Sequence, residues 1–274
     1  MFAQIEEYFR LEKMPHIWCP GCGHGIVLGA MTRAIKQLGY DQDKTVVVSG
    51  IGCSARASGY LDFNTLHTTH GRALAFATGI KLADPELNIF VVMGDGDCTA
   101  IGGNHFIHAA RRNIDLNAVV FNNNIYGMTG GQYSPTTPQN KRATTAPYRT
   151  IERNFDLAEL AKSAGATFVG RGTAYHAKML TDLIVKGAKN KGFSVVEAIS
   201  QCPTSYGRRN KMGDPVDMIK WQKEQAVNIK AAGNMTKEQL EDKFLIGVLH
   251  KDEAPEYTET YQEIIARAQG NVKK

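Results

Sequence analysis

The chain has 274 residues, 43% of them hydrophobic and 22% charged, with a mean hydropathy of -0.28 and a net charge of +5. That composition supplies apolar material for a sizeable core, fits one large α/β domain with an appendage or two small domains, and contains no repeat or low-complexity block. The mild positive surplus is scattered apart from Arg111-Arg112 and Arg208-Arg209, so no basic stripe argues for nucleic acid.

In chain order, the opening MFAQIEEYFRLEKMPHIW lacks the apolar run of a signal peptide. The most apolar windows, Thr45–Ser49, Asn88–Met93 and Asn117–Phe121, are strand-length, well short of the ~20 residues of a membrane span. The chain is therefore expected in the cytoplasm, with neither membrane nor nucleic acid as a partner. Five cysteines in a reducing compartment argue against a disulfide framework.

Val27, Ala30, Met31, Ala34, Ile35 and Leu38 recur at helical spacing, and Gly39 supplies a stop. Thr45–Ser49 is a β-branched run that predicts a strand buried on both faces. A helix over Gly71–Ala83, a strand over Asn88–Met93, a helix over Thr99–Arg112 and a strand over Asn117–Phe121 follow. After the Gly/Thr/Pro-rich stretch Asn122–Pro147, a helix fits Leu157–Gly165, a strand Thr167–Gly170, a helix Tyr175–Gly187 and a strand Phe193–Ile199. This alternation predicts an α/β fold: a mostly parallel sheet with helices on both faces. Residues 1–202 would form that domain. Residues 203–274 read as a helical and irregular extension, with helices near Val216–Lys230 and Lys237–Val248, the second opened by a Thr236/Gln239 capping box.

In such sheets ligands lie beyond the carboxyl ends of the strands, and that is where the unusual residues fall. Gly94-Asp95-Gly96-Asp97 ends one predicted strand and Asn122-Asn123-Asn124 the next, with one helix between. An anionic oxygen from Asp95 and a neutral one from Asn122 or Asn123 suit Mg2+ bridging a diphosphate. Gly94 and Gly96 let the backbone approach the phosphates. The competing reading is two unrelated turns, since both sequences are common turn formers. A dinucleotide fingerprint fits poorly, because Thr99 stands where its third glycine belongs.

The thiols offer a second constellation. Cys19-Pro20-Gly21-Cys22 places two on a tight turn before a helix, while Cys53 and Cys202 each follow a predicted strand. No strand precedes the pair, as a thioredoxin-like motif requires, and no second close pair completes a zinc ribbon. Four thiolates are sufficient for a [4Fe–4S] cluster; zinc or plain burial stay open on spacing alone. Cys98 belongs to no such motif and reads as a small buried residue. Thr68-Thr69-His70-Gly71-Arg72 reads equally as a diphosphate contact or as a helix cap.

Gly94–Asn123 resembles the thiamine-diphosphate signature. With Asn123–Gln132 (NNIYGMTGGQ), the chain resembles the beta subunit of the 2-oxoacid:ferredoxin oxidoreductases over roughly residues 15–230. The resemblance implies a Mg2+ site from Asp95, Asn123 and the backbone of Ile125, with Asn122 structural. It implies a cluster on Cys19, Cys22, Cys53 and Cys202. It places Ser54, His70, Gly94, Asp95, Gly96, Asp97, Asn123, Ile125 and Thr129 at thiamine diphosphate, and Arg56 and Met128 at the substrate. The run Cys202–Asn210 is similar to 2-oxoglutarate-type members, and Arg56 would meet the distal carboxylate; pyruvate is the alternative substrate. The implied reaction is CoA-dependent oxidative decarboxylation, or its reverse, with electrons passed to ferredoxin. One half-site for the cofactor is present, so no catalytic residue is assigned in this chain. The glutamate for the aminopyrimidine would come from an alpha subunit in an (alpha-beta)2 assembly. A non-redox thiamine lyase and a zinc-stabilised binding module are the rival classes; neither would need a four-thiol iron site.

Overall fold

All five runs expected as strands are strands, and a sixth joins them. The computed structural model describes residues 4–270. Thr45–Ser49 (β1), Asn64–His67 (β2), Asn88–Gly94 (β3), Asn117–Asn122 (β4), Phe168–Thr173 (β5) and Ser194–Ile199 (β6) lie parallel in the order β2-β1-β3-β4-β6-β5. β2 is an unanticipated edge strand; its Asn-Thr-Leu-His sequence is short and partly exposed, so it carries little apolar pattern.

Helices cover both faces, which is why the inner strands are continuous apolar runs rather than alternating ones. Phe90 and Val92 of β3 pack with residues of His24–Leu38 (α1), a single turn at Ala57–Tyr60 (α2), and the later helix Ala177–Ala188. Ile89, Val91 and Met93 point the other way, into a layer built from Ala73–Ala83 (α3), Gly103–Arg112 (α4) and Leu157–Ser163 (α5). With Ala177–Ala188 numbered α6, α1 and α6 pack against each other on the first face. The helix expected from Thr99 starts instead as a wide π turn, Asp97–Ile101, ahead of α4.

The extension adds strands as well as helices. Pro215–Gln225 (α7) is opened by a capping box between Asp214 and Asp217. It stops short of Lys230, because Ala226–Asn228 (β7) is extended, followed by one turn at Ile229–Ala232 (α8). The helix expected over Lys237–Val248 is corrected: Phe244–Lys251 is a strand (β8), antiparallel to β5 and parallel to β7. The Thr236/Gln239 capping bonds form, yet Asp242 and Gly247 adopt φ of 59° and 116°, values an α-helix excludes. Tyr257–Ala268 (α9) closes the described chain, its N-cap Glu256 also accepting from Asp115 N at 2.9 Å. No helix among the described residues is long and apolar enough to cross a membrane.

Candidate active site

Because β2, β1, β3 and β4 are parallel neighbours, the loops leaving their carboxyl ends meet. They enclose a cavity of about 80 Å³. Ser54, His70, Gly94, Asp95, Gly96, Asp97, Asn123, Ile125 and Thr129 all line it, as does Met128, which is half exposed at 49%. Arg56 is different: it is exposed at the end of a short turn, Ser54–Arg56, and is not among the lining residues.

Asp95 is 2% exposed. Its Oδ2 accepts from Ser134 Oγ at 2.5 Å and Thr136 Oγ1 at 2.7 Å. Burial pushes its carboxyl up, opposed by those hydrogen bonds. Its Oδ1 faces the Asn123 carboxamide at 3.2 Å, and the same carboxamide atom lies 2.8 Å from the Ile125 carbonyl oxygen. With the amide oxygen in that position, three oxygens converge and no donor stands among them. Turning the amide round would let its nitrogen donate to both neighbours, an orientation set by what occupies the site. Three converging oxygens, one of them anionic, are a donor set for a hard divalent cation. Asn122, by contrast, is engaged by the protein at both ends: its Nδ2 donates to Glu197 Oε1 at 2.7 Å and its Oδ1 accepts from Asn124 N at 3.1 Å, with Thr136 Oγ1 also 3.1 Å away.

Asp97 ties three loops together. Its Oδ1 accepts from Gly71 N at 2.7 Å and Ile51 N at 3.3 Å, and pairs with His70 Nδ1. Its Oδ2 is buried with no hydrogen-bond partner among the described residues. Gly50 makes room for it, since a Cβ there would stand 1.9 Å from Oδ2.

The thiols meet on the other side of the same wall. Cys22 N donates to Cys19 O at 3.0 Å, closing the tight turn. Gly23 N donates to Gln201 O at 3.2 Å and Gln201 Nε2 to Gly21 O at 3.0 Å, which brings the Cys202 segment onto that turn. Trp18 Nε1 holds the Cys53 carbonyl at 2.6 Å. Cys19, Cys22, Cys53 and Cys202 together line a cavity of about 210 Å³. Among the described residues no three His, Cys, Asp or Glu side chains close on one point as a single metal ion needs. Burial, with a smaller contribution from the other three thiols, pushes Cys22 up to about 12. Cys98 sits apart, fully buried in the core layer beneath α3 and α4.

Several contributors had no signal in spacing. Ser134 and Thr136 lie in the Gly/Thr/Pro-rich loop, where only local polarity marks them. Tyr126 donates its hydroxyl to Gly96 O at 3.1 Å. His24, the first residue of α1, lines the cofactor cavity between the Trp18 and Phe121 rings, and burial lowers it to about 4.

Residues 50–198 match the family described as thiamine pyrophosphate enzyme, C-terminal TPP binding domain. The chain is 53% identical over 264 residues to the 2-oxoglutarate synthase subunit KorB of Archaeoglobus fulgidus, covering 96% of this chain and 95% of that one. It is 50% identical over 266 residues to the KorB subunit of Methanothermobacter marburgensis, covering 97% and 93%. Among solved structures it is similar to the 2-oxoglutarate:ferredoxin oxidoreductase from Magnetococcus marinus with 2-oxoglutarate, coenzyme A and succinyl-CoA bound. That likeness has a TM-score of 0.86 at 35% identity and covers 98% of this chain and 92% of the other. Cofactor-site geometry and near-complete coverage agree: the chain belongs to the 2-oxoglutarate synthase KorB family of oxidoreductase subunits and carries its thiamine-pyrophosphate-binding domain.

Proposed function

We propose that this chain is the beta subunit of a CoA-dependent 2-oxoglutarate:ferredoxin oxidoreductase, holding thiamine diphosphate, Mg2+ and one [4Fe–4S] cluster. The observation that carries the reading is a shared wall: Cys53, Asn123, Gly127 and Met128 line both the cofactor cavity and the thiol cavity. A redox centre on the four thiols would therefore adjoin the cofactor. Thiamine diphosphate, when bound, supplies a nucleophilic carbon and an electron sink.

This chain's own residues bind and orient. Asp95 Oδ1, the Asn123 carboxamide oxygen and the Ile125 carbonyl would hold Mg2+, which requires oxygen ligands. His70, its Nδ1 engaged by Asp97, has Nε2 left for the diphosphate. Gly96 has no room for a side chain beside Tyr126, whose ring walls the cavity. Four thiols distributed around a cavity, rather than converging on a point, suit a cube with iron at its corners better than a single zinc ion. No glutamate is among the described residues lining the cofactor cavity, which supports its delivery by an alpha subunit. Substrate and CoA follow from the relatives' names and the ligands of the similar solved structure; ferredoxin is the matching one-electron acceptor.

The test is anaerobic purification with the alpha subunit, iron quantification, and assay of ferredoxin reduction. Reduction that requires 2-oxoglutarate and CoA together is the expected result. Iron-free protein, or decarboxylation independent of CoA and ferredoxin, would overturn the reading in favour of a non-redox lyase. Arg56→Ala tests substrate choice: if its guanidinium meets a distal carboxylate, kcat/KM falls for 2-oxoglutarate and not for pyruvate. Equal losses would remove that role.

A further inference from the structure

A charged pair lies inside the sheet, where apolar residues would do. Arg171 on β5 and Glu197 on β6 are direct neighbours in the parallel register. Arg171 Nε donates to Glu197 Oε2 at 2.6 Å, and the two residues are 7% and 2% exposed. A buried ion pair is weak evidence of stabilisation, since well-packed apolar residues often serve equally. Its other contacts point to a different role. Glu197 Oε1 accepts from Asn122 Nδ2; Asn122 Oδ1 accepts from Asn124 N and lies 3.1 Å from Thr136 Oγ1, whose proton goes to Asp95 Oδ2 at 2.7 Å. A continuous buried chain thus runs from β5 to the end of β3.

We infer that Glu197 is a positioning residue for the cation site: through Asn122 it fixes the amide oxygen that holds Asn124 N, and with it the loop that carries Asn123 and Ile125. The inference rests on the reading of Asp95, Asn123 and Ile125 as a Mg2+ site. The polarity of the chain is set at its far end. Arg171 has no acceptor to offer, so it demands an oxygen from residue 197. A carboxylate can satisfy that demand and still present a second oxygen to Asn122. The Asn122 carboxamide must then point its nitrogen at Glu197 and its oxygen at Thr136 and at Asn124 N. Asn124 N, in turn, belongs to the loop that carries Asn123 and Ile125. One carboxylate thereby orients the Asn123–Ile125 half of the donor set through Asn124, while Thr136 and Ser134 hold the Asp95 half.

Glu197→Gln changes that polarity without changing shape. With its oxygen on Arg171, Gln turns its NH2 toward Asn122, which must rotate its carboxamide and set NH2 against the Asn124 N–H. The expected consequence in the assembled complex is a loss of cation affinity of ~10- to 100-fold, the range for partners that orient metal ligands. Mn2+ binding followed by electron paramagnetic resonance at saturating thiamine diphosphate reads this without relying on turnover. Raising the cation concentration should restore cofactor binding. Asn122→Leu, which removes the intervening carboxamide, should produce a similar loss, and the double variant should lose no more than the worse single, because both interrupt one chain.

Asp95→Asn, measured alongside, separates the two readings. If Asp95→Asn keeps wild-type cation affinity, the metal assignment itself fails. If Asp95→Asn loses the cation while Glu197→Gln binds it normally and only melts at a lower temperature, Glu197 is structural and the proposal is overturned. Should Glu197→Gln fail to assemble, Glu197→Leu with Arg171→Met replaces the buried pair by apolar residues. Asn122 then has no oxygen at position 197 to fix its carboxamide, so the same loss is expected, and wild-type affinity there would equally overturn the proposal.

Discussion

Thr136 Oγ1 donates to Asp95 Oδ2 at 2.7 Å although 41 positions separate the two residues. With Ser134 on the same oxygen, the carboxylate is anchored on one side and open on the other. Asp95→Ala should therefore abolish Mg2+-dependent binding of thiamine diphosphate by the assembled complex, because the other carboxylate among the described lining residues, Asp97, is tied to His70 and Gly71 N. Calorimetry with and without Mg2+ checks this; near wild-type affinity would show that the oxygens serve something else.

Gly96 lies against the Tyr126 ring so closely that a Cβ would come within 2.2 Å of Cζ and 2.6 Å of the hydroxyl oxygen. Gly96→Ala must displace the ring and break its bond to Gly96 O, a cost of order 1–3 kcal/mol for overpacking. If that cost falls on the bound state, cofactor affinity drops about 5- to 100-fold on the ~1.4 kcal/mol per decade scale. Tyr126→Ala in the same chain should recover part of the loss. Failure of the double variant to recover would locate the effect in the backbone rather than the ring.

Cys19, Cys22, Cys53 and Cys202 changed singly to Ala should each remove or destabilise the cluster. Cys98→Ala should keep full iron content and cost only packing, about 1 kcal/mol for a small core truncation. Iron analysis and the spectrum of the reduced protein decide between them. Retained iron in all four of the first set would sink the ligand assignment.

Glu256 caps α9 and accepts from Glu259 N at 2.8 Å and Thr258 Oγ1 at 2.5 Å. Burial raises its carboxyl, but the hydrogen bonds win and hold it below the ordinary value. A depressed carboxylate contributes stability above its unfolded pKa and loses it as pH falls through the folded one. Glu256→Gln should thus lower the melting temperature near neutrality, by the equivalent of about 1 kcal/mol for a lost cap. The gap to wild type should narrow below about pH 4, where an unperturbed Glu takes up its proton. A gap that does not change with pH would show that the charge contributes nothing.

The local pattern of the chain determined more of the fold than of the site. The runs Thr45–Ser49 and Asn88–Met93 are buried on both faces, so apolar side chains fill every position and the strand can be read directly. The glycines at 94 and 96, the aspartate between them and Asn123 were legible for a related reason: a parallel strand tip demands backbone freedom and oxygen donors at fixed places. β8 was misread because a capping box favours a helix over one turn only. Its pairing with β5 comes from about 80 residues away and carries no local mark. Ser134, Thr136 and Glu197 were hidden for the same physical reason. A buried hydroxyl or carboxylate is specified by the partner that satisfies it, and that partner is brought near only when β3, β4, β5 and β6 lie side by side.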